Sequence, residues 1–451
     1  MITTASAWRA GRRPMSAMVA TLAVLGLGCS SLTSVDAPDI LQPSQLNTPD
    51  GANVLRVGAL SSFYSSVILN PFGVPGTVGV LSDELVSGGR DGLTEALDAR
   101  RLTADAELTY FAMHEARHNF EAAIAAYERF PQLPRDYTGE LFALLALEED
   151  YFGEVLCSGV PLTEIVNGQP QYGAQLTTQQ MFQHALGDAD SAVRYAVDTV
   201  RYRYLAQVVR GRVFLNLGQF DSATAAVQGV PTGFLFNAEA SLTLATQSNR
   251  IGRSQLFGKL YGVADKQGTN GLDFISSADP RIAPNINAVG LGADGQTTIY
   301  EWLPYGSLDS PVSLSNGIEA RLIEAEAAMQ RGDAVTWLTT LNTLRTDGTQ
   351  TGSVYNPGTG GVAGLAPLTD PGTAAGRVDL TFRERAFWLF FTGHRLGDLR
   401  RLIRQYGRSP DTVLPVGPYK NNGTFGADAN VAVPSGENSN PNFHGCIDRN
   451  A

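Results

Sequence analysis

The chain lacks a basic excess, is poor in cysteine and histidine, and has no apolar run long enough to cross a bilayer. Its 451 residues include 33 Lys+Arg against 44 Asp+Glu, for a net charge of −11. That balance excludes a nucleic-acid binder built on a basic face. The longest apolar runs, such as AFWLFF and LFALLAL, fall far short of the ~20 residues a spanning helix needs. No GxSxG, Walker A or GxGxxG signature occurs, and no local pattern pairs a cysteine nucleophile with a histidine. The carboxylate pairs Asp83-Glu84 and Glu148-Glu149 read as solvated faces rather than as an acid/base couple. What remains is bulk. The chain is 43% hydrophobic, enough for a large core, and its 48 glycines imply long loops between ordered elements.

The N-terminus points to export. Arg9, Arg12 and Arg13 precede an apolar run from Ala17 to Leu27, and LGLGC comes next, ending at Cys29. A basic start, a short apolar core and small residues before a cleavage point describe a secretory signal. A cysteine directly after the small residues resembles a bacterial lipoprotein signal, which implies lipidation at Cys29. Residues 1–28 are then the signal peptide, 29–50 a lipidated tether, and 51–451 a single domain. Cys157 and Cys446 are the cysteines left over, and in an oxidising compartment they are a candidate disulfide pair.

Helical periodicity runs over 51–68, 103–147 with a break at FPQLPRD, 178–228, 316–345 and 380–406. The stretch NPFGVPGTVGVLSDELVSGGRDG and residues 229–312 read as loop. Two segments share a hairpin grammar. Gly211 and Phe214 precede a turn at Gly218, with Phe220 and Ala223 after it; Ala325 and Ala328 precede a turn at Gly332, with Leu341 and Leu344 after it. Small residues let two helices approach closely and the glycine makes the turn, as in tetratricopeptide repeats. The expected fold is mainly α, with tetratricopeptide-like hairpins carrying long loop-rich insertions.

MHEARH contains His114-Glu115-x-x-His118, the pattern in which two histidines one helical turn apart hold zinc and the glutamate activates water. A zinc-dependent hydrolase is therefore the competing function. Against it, Arg117 places a permanent cation between the ligands, Glu121 stands where a metzincin needs glycine, and Leu144 stands where a gluzincin's supporting aspartate belongs. We expect these positions to be polar sites on an amphipathic helix burying Phe120, Ile124 and Tyr127, with no metal and no cofactor.

The stretch TFRERAFWLFFTGHRLGDLRRLIR sets five aromatics beside six arginines. Charges among rings are costly if buried alone, so Glu384, Arg385, Asp398 and Arg401 are expected to pair. It resembles the "ERxxELxxEGxRxxDLRR" helix of the SusD/RagB family, outer-membrane lipoproteins that capture nutrients. Three further stretches carry the likeness: ALLALEEDYFGEVLCSGVPLTE, SATAAVQGVP and IEARLIEAEAAMQRGDAVTWLTTLNTLR. Trp388 and Thr392 stand where the family usually has glutamates, which removes acids that could pair with Arg395.

The resemblance implies binding without chemistry: an oligosaccharide or other nutrient held against a SusC-like TonB-dependent transporter, on a lipid-anchored protein facing the cell surface. Family glycan sites are aromatic platforms edged by polar groups. Among the tryptophans only Trp302 lies in a loop-rich region of the mature chain, with Tyr300 and Tyr305 beside it, and the first glycine-rich loop offers Asp83 and Asn70. These five are the expected ligand contacts.

Overall fold

The computed structural model describes residues 43–102, 107–166, 169–346, 362, 365–420 and 422–450. The signal segment and Cys29 lie outside the described residues. Two compact units are present, Met1–Leu46 and Asn47–Ala451. The first contributes a short helix, Pro43–Leu46, to the described residues. The second holds every other described element.

Eleven helices carry the architecture of that second unit: α1 (Pro49–Ser62), α2 (Val74–Leu81), α3 (Glu107–Arg129), α4 (Arg135–Val155), α5 (Thr178–Tyr195), α6 (Val200–Asn216), α7 (Phe220–Val227), α8 (Gly317–Gln330), α9 (Ala334–Thr346), α10 (Ala374–Trp388) and α11 (Arg395–Arg404). Consecutive pairs α3/α4, α5/α6, α6/α7 and α8/α9 pack on each other, and α7 packs against α8 across the long insertion. The fold is mainly α, and the helical hairpins stand where the sequence pattern puts them.

The two hairpin glycines have a backbone reason. Gly218 and Gly332 adopt φ of 71° and 77°, the left-handed conformation that closes a helix C-terminus without a Cβ penalty. The chain then closes each turn with matching bonds, Gln219 N–H to Phe214 O and Asp333 N–H to Ala328 O. Close approach is the role of Gly211: a Cβ there would meet Val227 at 2.5 Å.

The first glycine-rich stretch is not simply loop, because it contains α2 and the strand Leu85–Ser87, which pairs antiparallel with Tyr261–Val263. All eight residues of α2 are buried, so tertiary burial overrides the low helical propensity of its glycines. The acidic pairs Asp83-Glu84 and Glu148-Glu149 are likewise buried rather than solvated. Residues 229–312 are loop-rich as expected, but with short antiparallel pairings. Ile286–Leu291 pairs with Thr298–Trp302, and Leu235–Ala238 pairs with Val312–Asn316.

A further correction concerns 380–406, which is two helices rather than one. The break falls at Phe391 and Gly393, with φ of 57° and 83°. A positive φ is costly for a bulky residue. Here the Phe391 N–H donates to Glu84 (3.1 Å), and the Thr392 hydroxyl bonds Leu389 O. The break has a consequence. Arg385 and Asp398 are thirteen residues apart and would sit roughly 20 Å apart along one straight helix. Turning the chain back brings the Arg385 Nε to 2.8 Å from Asp398.

Asp398 also accepts from Arg401 (2.8 Å), and Arg401 forks onto Glu326 of α8, which accepts the Tyr406 hydroxyl at 2.6 Å. Arg385 stands 3.7 Å from the same glutamate. Two acids and two arginines thus balance in a buried cluster joining α8, α10 and α11. Burial alone would raise the Asp398 carboxyl; Arg385 and Arg401 instead hold it well below the usual carboxylate range.

We predict that Asp398→Ala, which leaves two buried guanidinium ions on one carboxylate, destabilises the fold by about 3–5 kcal/mol. Denaturant unfolding measures it. Unchanged stability would contradict the structural role of the cluster.

Candidate functional site

The expected ion-pair residues all find partners of opposite charge. Glu384 accepts from Arg281 (2.8 and 3.2 Å) and Arg345 (2.7 Å), and Arg395 makes a forked pair with Asp83 (2.6 and 2.9 Å). Asp83 therefore serves Arg395 in place of the missing glutamates. His394 caps the same region: its Nε2 lies 3.2 Å from Glu319, which Arg212 holds in a fork of 2.6 and 2.7 Å. Burial raises the Glu319 carboxyl, but Arg212 and His394 more than offset it and set the value at about 2.

The expected aromatic platform is a correction. Trp302 and Tyr305 are 1% and 2% exposed and present no face to a ligand. Trp302 packs edge-on to Phe390, with ring centroids 4.9 Å apart, and the Tyr305 hydroxyl donates to Phe391 O (3.1 Å). The loop aromatics are thus the lid of the charged aromatic segment. Tyr300 is partly buried on the same strand, and the Asn70 side chain accepts from the Phe72 N–H, a local turn contact. The five residues do not converge on a cavity.

The HEARH histidines are also apart in environment. His114 is packed between Tyr110 and Phe152, with centroids at 4.5 and 4.7 Å, and burial lowers it to about 3. His118 is exposed. Arg117 turns to Glu121 (2.5 Å) and toward Glu149 (3.6 Å). In this arrangement His114 serves helix packing and Arg117 serves the neighbouring acids.

The chain does form a cleft elsewhere. A cavity of about 320 Å³ lies between the start of α5 (Thr177, Thr178, Gln179, Phe182), the α6–α7 turn (Asn216–Gly218), the end of α11 (Arg404, Gln405) and the tail residues Asp448 and Asn450. Its size is at the lower end of ligand pockets, which run from about 300 Å³. Arg404 lies over the Phe182 ring at 5.4 Å. Burial, then the neighbouring Arg401, lowers this guanidinium to about 10, so it stays charged at neutral pH. Gln405 spends its NH2 on the carbonyls of Leu215 and Asn216, at 2.8 and 3.0 Å, and Asn216 spends its own on Asp150 and Glu154. That leaves Arg404 Nη2, Gln405 Oε1 and Asn216 Oδ1 without protein partners. One donor and two acceptors are therefore held by neighbours that fix their orientation but do not satisfy them.

A covalent tie holds the tail wall. Cys157 and Cys446 form a disulfide, with Cα atoms 5.9 Å apart. Around it, Ser158 N–H donates to Asp448 O (3.1 Å), Cys157 N–H to Val431 O (2.8 Å), and Gln175 Nε2 to Gly445 O (2.6 Å). Arg400 ties α11 to α4 nearby. Its Nη1 donates to the carbonyls of Gly153, Glu154 and Leu156 at the end of α4, where helix polarity favours a cation. No sequence signal pointed to this cleft, because its walls come from five separated segments, Ser158 among them.

No family model matches the sequence, and no curated protein matches it. Solved structures match the fold. A SusD superfamily protein from Parabacteroides distasonis superimposes with a TM-score of 0.65 at 14% identity, covering 88% of this chain and 98% of that one. One from Bacteroides vulgatus gives 0.61 at 14%, covering 89% and 99%. A protein described as a putative sugar binding protein, also from B. vulgatus, gives 0.60 at 15%, covering 89% and 98%. The chain therefore has the SusD-like fold along nearly its whole length.

We predict that the disulfide anchors the cleft. Non-reducing mass spectrometry should find Cys157 and Cys446 protected from alkylation, and Cys446→Ser should speed amide exchange in 440–450. Two freely alkylated thiols in wild type would refute it.

Proposed function

We propose that this protein is a carbohydrate-binding lipoprotein of the outer membrane. In this reading it is anchored through Cys29 and faces the cell surface, where it takes up an oligosaccharide or other nutrient without catalysis and passes it to a SusC-like TonB-dependent transporter. The observation that carries the reading is the SusD-like fold, shared over nearly the full length with solved proteins that include one described as sugar binding. The export signal, ending at Cys29, supports the location.

Within this reading the ligand sits in the cleft beside the disulfide-tied tail. A sugar presents vicinal hydroxyls that both donate and accept. Arg404, Gln405 and Asn216 line the cleft with a guanidinium that donates and two amides that can do both. A site built to hydrogen-bond hydroxyls discriminates strongly, because an unsuitable ligand leaves buried polar atoms unpaired. The uncharged walls at Thr177, Thr178 and Gln179 suit a neutral glycan. Against the zinc-hydrolase reading stand the packing of His114 between Tyr110 and Phe152 and the exposure of His118.

The test is calorimetric titration of the mature protein against a panel of oligosaccharides. Arg404→Gln should weaken the best ligand about tenfold or more, the worth of one charge-assisted hydrogen bond. Gln179→Trp, at an exposed edge of the cleft, should do so by steric block without affecting stability. Binding that is indifferent to both changes would place the ligand elsewhere.

A further inference from the structure

A second cluster lies where α4 meets α5, and none of its residues lines the cleft. Glu149 of α4 and His184 and Asp188 of α5 bring one ligand atom each within 4.8 Å of one another. Among the described residues they are the group of acids, histidines and cysteines that meets this spacing. His184 and Asp188 are four residues apart and so share one helix face. The His184 Nδ1 lies 2.9 Å from Glu149 and 3.9 Å from Asp188. Ligand atoms about 2.0–2.2 Å from a tetrahedral zinc stand roughly 3.3–3.5 Å from each other, between those two distances.

Burial supplies an independent observation. The Glu149 side chain is 0% exposed, and its Oε1 has no hydrogen-bond partner. A carboxylate in that state is costly unless a cation meets it. Arg117, on α3, does not fully serve: its Nη2 is taken by Glu121 at 2.5 Å, and its Nε stands 3.6 Å from Glu149. Glu121, Glu149 and Asp188 face one arginine and one histidine, with Glu164 bearing on Glu121 from outside. The His184 side chain remains 46% exposed, so an ion has a path in and a position open to water.

We propose that Glu149, His184 and Asp188 bind one zinc ion between α4 and α5. The site shares no histidine with the HEARH motif, and Arg117 of that motif instead orients Glu149. One imidazole nitrogen with two carboxylates suits zinc better than calcium or magnesium, which prefer oxygen ligands alone in larger number. Binding needs the Nδ1 lone pair, so a proton on Nδ1 leaves to solvent from an imidazolium, or is exchanged for one on Nε2 in a neutral ring, as the metal enters.

Chelator-stripped full-length protein is titrated with zinc chloride by calorimetry, and metal is counted after gel filtration. The expected result is one zinc per chain and a zinc-dependent rise in melting temperature. His184→Ala and Asp188→Asn each weaken zinc more than about tenfold. They sit at partly exposed positions, and circular dichroism confirms that they are folded. His114→Ala with His118→Ala leaves zinc binding intact. No stoichiometric zinc in wild type, wild-type affinity in both cluster variants, or zinc lost from the HEARH variant would each overturn the proposal, as would tighter binding of calcium than of zinc.

Discussion

Everything in the scaffold converges on one buried carboxylate. Asp398 receives Arg385 from α10 and Arg401 from α11, while Glu326 from α8 receives Arg401 and stands close to Arg385. Helix α8 and the consecutive pair α10 and α11 are thereby fixed around a cluster of zero net charge. Taking these ions out of water is costly, and the cost is offset only while every partner is present. The cluster acts as a geometric specification: the chain must break after Trp388, and α11 must turn back along α10. The aromatic run Phe387–Phe391 then falls against Phe274, Trp302 and Tyr305. Gly397 belongs to the same constraint, since a Cβ there would meet the Glu154 carboxyl at 2.6 Å and push α11 off α4.

That contact also shapes the cleft. Docking α11 on α4 places Arg400 on the last carbonyls of α4 and Arg404 over Phe182 of α5. The same end of α4 leads into Cys157, whose disulfide brings the C-terminal tail over the opening. One wall is thus set by buried charge and the opposite wall by a covalent bond. The polar atoms between them keep free valences because their neighbours occupy only part of each group. Such partial satisfaction is unfavourable for stability alone.

The hairpins and the charge pairing were legible in the sequence for local reasons. A glycine at a helix end, small residues one turn apart and opposite charges among rings each leave a short-range trace, and Gly218, Gly332, Glu384 and Arg401 stand in those roles. The break at Phe391 was not legible, because its cause is Glu84, some three hundred positions away. Helix α2 was hidden for a similar reason: its glycines signal loop, and only complete burial makes it helical. Trp302 misled because a loop-rich neighbourhood was taken for exposure, whereas the ring closes the core from outside. The cleft left no local trace at all. Its residues come from 158, 177–182, 216–218, 404–405 and 448–450, and only the fold brings them together.

Hydrogen–deuterium exchange read peptide by peptide tests the central claim most directly. If the Asp398 cluster holds the scaffold, amides of 381–388 and 395–402 exchange only through global unfolding, as slowly as any in the protein, with opening energies that match the denaturant value. Exchange of 395–402 through a separate, lower-energy opening, while α3, α4 and α8 stay protected, would show that α11 is an appendage and that the scaffold stands without it.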